Sequence, residues 1–273
     1  MSPATTIALL KLNALLGIKG TVETINGTDT LTRLGVTCAL CHPTVNDSFP
    51  KGIGKRLDGW PKRDPNPCAI IALSPAVDVP KRLMYLSWGP VKYDPRFNLD
   101  GKNGPQVIPP AYGLKGINRI TSIGDGSDLA YWNRYVGVTQ MGGHGTFSKP
   151  RIGVNVTKGT VDLISAKLPA LQAYQLSLRA PPAPVNFNVA AANRGSILFS
   201  VAGKAKCATC HSGVEFTDAI TRLHPPSDAV SELDEPSGAS YALRSATKQY
   251  RAATLAGALA ACALFPQRPR ALA

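Results

Sequence analysis

"NVAAANRGSILFSVAGKAKCATCH", residues 188–211, decides how this chain is read, because a helix-forming run leads through a short Gly-Lys segment into two cysteines and a histidine. The same word occurs earlier, in "TCALCH" at residues 37–42. Each residue of a Cys-x-x-Cys-His motif has a task when the group held is c-type haem. The two thiols add to the porphyrin vinyl groups as thioethers, and the adjacent histidine ligates iron through a neutral imidazole nitrogen. A redox dithiol needs no histidine after its second cysteine, and a four-cysteine zinc site leaves both histidines unexplained. The motifs therefore predict two covalently attached haem c groups, each with its iron. Cys38, Cys41 and His42 hold one; Cys207, Cys210 and His211 hold the other.

The 273 residues leave room for two modest domains, and 44% apolar content is ordinary for a globular chain. No apolar run approaches the roughly 20 residues of a membrane span. A formal charge of +13 favours an anionic partner. In a redox carrier that means a partner protein with an acidic docking patch, and haem propionates offset part of the charge. The Lys and Arg residues are dispersed rather than clustered, which argues against nucleic acid.

The stretch before the second motif resembles the opening of class I cytochromes c. There a helix with a glycine and an aromatic residue, here Gly195 and Phe199, packs on the terminal helix and delivers the chain to the haem motif. "KGIGKRLDG", residues 51–59, resembles in part the loop that follows the motif, with Ile53 in the place of a proline. The resemblance implies a mainly α protein of two class I-like haem domains, the first enlarged by long loops. On this reading residues 1–180 form the first domain and 181–187 a Pro-rich linker. Residues 188–273 form an incomplete second domain whose tail, 256–273, does not read as part of it.

Local patterns add detail. Residues 2–20 read as an amphipathic helix ended at Gly17–Gly20, and "TVETINGTDTLTRLGV" reads as a hairpin turning at Asn26-Gly27. Residues 60–126 read as Pro- and Gly-rich loops, with "KRLMYLSW" as a buried helical face. Further helices are expected around Leu129–Val136 and from about Leu168 to Leu178.

The sixth ligand decides what each iron does: a Met or second His favours electron transfer, whereas an open position permits reaction with peroxide or a gas. For the first haem the candidate is Met141 in "VTQMGGHGTF", with His144 as competitor and Met84 or an open site as alternatives. No methionine follows Met141. His224 is therefore the candidate ligand or distal residue for the second haem, weighed against an ordinary loop histidine. Trp60 with Arg56 and Lys55 are candidates for contact with propionates, and Cys68 reads as a small buried residue. A Cys68–Cys262 disulfide is the weaker alternative.

"TCALCH", "GKRLDGWPKRDPNPCAIIALSP", "YWNRYVGVTQMGGHGTF" and "KCATCHSG" together resemble bacterial exported di-haem cytochrome c proteins over most of residues 4–255. The di-haem cytochrome c peroxidases and MauG-like proteins are more distantly similar. These relatives carry a P-Y-x-H-D/N-G segment after a Y/F-R-x-x-x-L stretch, whose place "QYRAATL" takes at 249–255. Leu259–Arg268 can be encoded so that reading one base later gives W-R-H-A-P-Y-F-H-N-G, so a frameshifted tail is expected. Haem c attachment implies a periplasmic or exported protein. The first residues lack a basic leader region and an A-x-A-like end, so a short N-terminus is expected as well. Two functions follow: an electron carrier, or a di-haem peroxidase-like oxidoreductase with one open distal site.

Overall fold

The computed structural model describes residues 2–228 and 240–257, apart from 51, 63, 99, 127, 151–152 and 181–185. Most of the Pro-rich linker and residues 258–273, with Cys262 and the frameshift reading, lie outside them.

Short polar caps followed by proline start the first helices. Helix α1 (Pro3–Lys11) begins where the Ser2 hydroxyl accepts the Thr5 N–H. It ends at Lys11, before the expected glycines, because Asn13 turns left-handed (φ 58°) and Ile18 already opens a strand. The hairpin follows as expected. Strands β1 (Ile18–Ile25) and β2 (Thr28–Val36) pair antiparallel around Asn26 and Gly27, both at positive φ (50° and 76°).

After the first motif come β3 (Pro43–Val45) and β4 (Arg56–Asp58), then α2 (Pro67–Ala72), capped by Asn66, and α3 (Val79–Trp88), capped by Asp78. Helix α3 covers the helical face expected at 81–88, while α2 and the short pair β5 (Lys92–Tyr93) and β6 (Gln106–Val107) lie where loops were expected. Helix α4 (Leu129–Tyr135) widens into a π-turn over Val136–Gln140, followed by the hairpin β7 (Gly145–Lys149) and β8 (Val154–Lys158). Helices α5 (Leu168–Ser177) and α6 (Val189–Phe199) complete the named long elements.

The fold corrects the expectation of a mainly α protein built from two class I cytochrome c domains. Among the described residues there are six α-helices, and the eight strands form four separate two-stranded antiparallel sheets. Helix α6 buries none of its residues, and a Cβ placed on Gly195 would meet nothing within 4 Å. Among the described residues nothing covers the face meant for a terminal helix, and residues 240–257 contain no helix.

Apolar burial instead unites distant segments. One cluster joins Leu114, Ile117, Ile120 and Leu129 to Ala219; another joins Ile123 and the half-buried Phe97 to Tyr241, Ala242 and Tyr250. Residues 240–257 are also fixed to residues 94–125 by charge. The Arg244 guanidinium sits 2.9 Å from Asp94 and 3.0 Å from Asp100, and stacks over Phe97 and Tyr241. Beside it Arg96 pairs with Asp125 at 2.6 Å and lies over the Tyr135 ring. No described helix is long and apolar enough to cross a membrane.

Candidate haem-attachment sites

The two Cys-x-x-Cys-His motifs fold alike. Cys38–Leu40 and Cys207–Thr209 each form one 3-10 turn. In the first, the Cys38 carbonyl accepts the N–H groups of Cys41 (3.2 Å) and His42 (3.0 Å); in the second, the Cys207 carbonyl accepts those of Cys210 (3.1 Å) and His211 (2.9 Å). A remote backbone N–H then binds the second cysteine's carbonyl, from Lys62 to Cys41 at 2.9 Å and from Asp218 to Cys210 at 3.0 Å. Each turn thus brings its two cysteines and histidine together from five consecutive residues.

The histidines differ in how they are held. Nδ1 of His211 lies 3.1 Å from the Phe216 carbonyl. A carbonyl only accepts, so Nδ1 carries the proton and Nε2 keeps a lone pair for a metal. His42 is half-buried, but its Nδ1 is fully covered and has no hydrogen-bond partner. Burial drives its pKa down to about 4, against the Pro109 carbonyl, which favours the protonated ring. The imidazole is therefore neutral at pH 7, the form that ligates iron. Burial, with Cys38 beside it, likewise raises the Cys41 thiol to about 11. Both histidines fit a haem c iron. His211 has a committed Nδ1 and a free Nε2, while His42 offers an orphaned buried nitrogen.

The remaining candidates are scattered. Met141, half-buried, closes the π-turn with its N–H on the Val136 carbonyl. His144 is exposed, and its ring lies against Gly159, where any Cβ would fall 2.5 Å from it. Met84 packs on the cluster of Cys68, Ala72, Tyr85 and Trp88. Cys68 is fully buried, as expected, and burial pushes its thiol up to about 12. Trp60 is a core residue 6.0 Å from the Tyr112 ring, whereas Arg56 is paired with Asp58 at 2.7 Å. That ion pair occupies the guanidinium offered to a propionate.

His224 stands next to Cys210. Its Nδ1 is 3.7 Å from Cys210 Sγ, and its Nε2 is 2.9 Å and 3.1 Å from the Asp218 oxygens. Backbone bonds to Tyr250 in both directions, 2.8 Å and 2.7 Å, hold it there. Burial opposes ionisation of Asp218, and hydrogen bonds from His224 and Arg222 outweigh it, leaving its pKa lowered.

Two residues outside the sequence reading belong to these surroundings. Asp218 carried one faint signal, its place six residues before His224. Arg251 had been read only as part of a motif. Its Nε and Nη1 are buried and have no hydrogen-bond partner among the described residues, and burial alone lowers its pKa to about 10. It stays charged at pH 7 and needs an anion. The segment bearing it lies along the second motif's loop. Tyr250 bridges to His224, and Ala252 accepts the Thr217 hydroxyl.

No family model, curated protein or solved structure matches the chain.

Proposed function

We propose that the protein is a di-haem c-type cytochrome that transfers electrons outside the cytoplasm, akin to the exported di-haem cytochromes its motifs resemble. One observation carries this reading. Two distant Cys-x-x-Cys-His segments adopt the same hydrogen-bonded turn in unlike surroundings, each presenting an imidazole suited to ligate metal. Cys38, Cys41 and His42 would hold one haem, and Cys207, Cys210 and His211 the other. Haem supplies reversible one-electron chemistry when bound, at a potential set by axial ligands and burial. The chain's own residues set those conditions. The Phe216 carbonyl orients His211, burial keeps His42 neutral, and Arg251 offers an uncompensated cation to a propionate carboxylate. Met141 is the proposed sixth ligand of the first haem. The net charge of +13 suits a redox partner with an acidic docking patch.

A second reading, a di-haem peroxidase-like oxidoreductase, is favoured by His224. Both of its ring nitrogens already face side-chain partners, Asp218 and Cys210, which leaves the second iron without this distal ligand. Optical and EPR spectra of the haem-loaded protein separate the two. Two low-spin haems inert to peroxide and cyanide fit the carrier, and one high-spin haem that reacts with them fits the enzyme. Absence of covalent haem after expression with a haem-attachment system would overturn both.

A further inference from the structure

The surroundings of Cys210 contain chemistry that haem attachment does not use. Both Asp218 carboxylate oxygens lie against His224 Nε2, at 2.9 Å and 3.1 Å, and a carboxylate accepts, so Nε2 points its N–H at Asp218. The other ring nitrogen, Nδ1, lies 3.7 Å from Cys210 Sγ and 3.9 Å from Asp228 Oδ2. The thiol, one Asp218 oxygen and one imidazole nitrogen all lie within 4.8 Å of one another. His224 is only 8% exposed, and the Asp218 side chain is equally covered.

The separation of Cys210 Sγ and His224 Nδ1 is that of an edge of a coordination polyhedron. A tetrahedral zinc ion with bonds of about 2.0–2.3 Å sets its ligand atoms roughly 3.3–3.8 Å apart. Cys210 Sγ and His224 Nδ1 already span one such edge, and the exposed Asp228 carboxylate stands 3.9 Å from the same nitrogen, close to the length of a second. Asp218 stands behind the imidazole as an outer carboxylate that fixes its tautomer and direction. The backbone bonds of His224 to Tyr250 and of Asp218 to Cys210 hold Cys210, His224 and Asp218 in register without metal, and the Asp228 N–H is bonded to the Pro225 carbonyl.

We propose that, while its thiol is free, Cys210 joins His224 and Asp228 in binding one divalent ion of borderline softness, Zn2+ or Co2+, with Asp218 orienting the imidazole. Water completes the tetrahedron. Binding releases the thiol proton to solvent, forms a sulfur–metal bond and moves no electrons between oxidation states. The site does not depend on the haem reading. Thioether formation at Cys210 would consume its thiolate, so haem and metal would claim the same sulfur in turn.

The test is a Co2+ titration of the reduced, haem-free full chain, read by the thiolate-to-cobalt charge-transfer band and the visible bands of tetrahedral cobalt. One equivalent should bind. Cys210→Ser and His224→Gln should abolish the sulfur band, Asp218→Asn should weaken binding 10- to 100-fold, and Cys41→Ser should leave it unchanged. Should His224→Gln lose its fold by circular dichroism, Asp228→Asn at the exposed ligand serves instead, with at least tenfold weaker binding. No band at one equivalent, a band indifferent to Cys210→Ser, or one lost in Cys41→Ser would overturn the site. A chain that never acquires haem yet shows the band would remove the proposed function and leave this site standing.

Discussion

The two Cys-x-x-Cys-His motifs have the same backbone turn and nearly opposite surroundings. Around the first, Cys41 and His42 are pressed into the protein, where burial keeps the thiol protonated and the imidazole neutral. Around the second, Cys210 meets the charged side chains of Asp218, Arg222 and Asp228, with the His224 ring beside it. The difference separates what a five-residue word dictates from what the fold adds. The word sets the turn and brings thiols and imidazole together; remote segments decide whether those groups face apolar covering or titratable partners.

The largest expected effect comes from cutting the tie between residues 240–257 and the rest of the chain. Arg244→Ala strands the fully buried Asp94 carboxylate, and should cost about 3–5 kcal/mol in urea unfolding. The loss should loosen the second motif's strand at Tyr250 more than the first motif, by hydrogen exchange at His224 against His42. Equal exchange at both would break the comparison.

The next effect is a pH dependence belonging to the first motif. The folded pKa of His42 is about 4 and its unfolded value near 6.5, so the unfolded chain binds a proton first. Stability of the haem-free chain should be complete above pH 6.5 and fall by up to about 3 kcal/mol as pH drops toward 4. His42→Gln should flatten that slope, and an unchanged slope would show that other groups produce it.

Arg251→Gln should have opposite effects on the two forms of the protein. Removing an uncompensated buried cation should stabilise the haem-free chain by about 1–3 kcal/mol. It should destabilise the haem-loaded chain, where the cation would meet a carboxylate. The same sign in both forms would rule out a propionate partner. The smallest effect is Met141→Leu, a near-isosteric change expected to cost under about 1.5 kcal/mol. It should remove the sulfur-to-iron band of one haem only; a parent protein without that band would exclude Met141 as ligand.

Much of the local structure could be read from sequence, because caps and turns act over a few residues. Asn26-Gly27 announces its hairpin, and "VAAANRGSILF" gives the helix that ends at Phe199. The fold class could not be read, because it depends on pairings across great separations, such as Arg244 with Asp94 or Thr247 with the Ile123 carbonyl. The resemblance to class I cytochromes c implies that Gly195 and Phe199 face a terminal helix; among the described residues nothing lies on the glycine face, and Phe199 lies 6.1 Å from the Phe216 ring. Among the proposed site residues, the six of the two motifs stand out in the sequence because their spacing is itself the signal. Asp218 and Arg251 were not, since a common charged residue gains meaning only from the burial around it.

The central claim, that both motifs hold haem, is tested most directly by intact mass and pyridine haemochrome measurement on the chain expressed with a haem-attachment system. The account predicts two covalent haems in the parent, one in Cys38→Ser/Cys41→Ser, one in Cys207→Ser/Cys210→Ser and none in the combined variant. A parent chain carrying no covalent haem, or one haem lost only with a single motif, would contradict it.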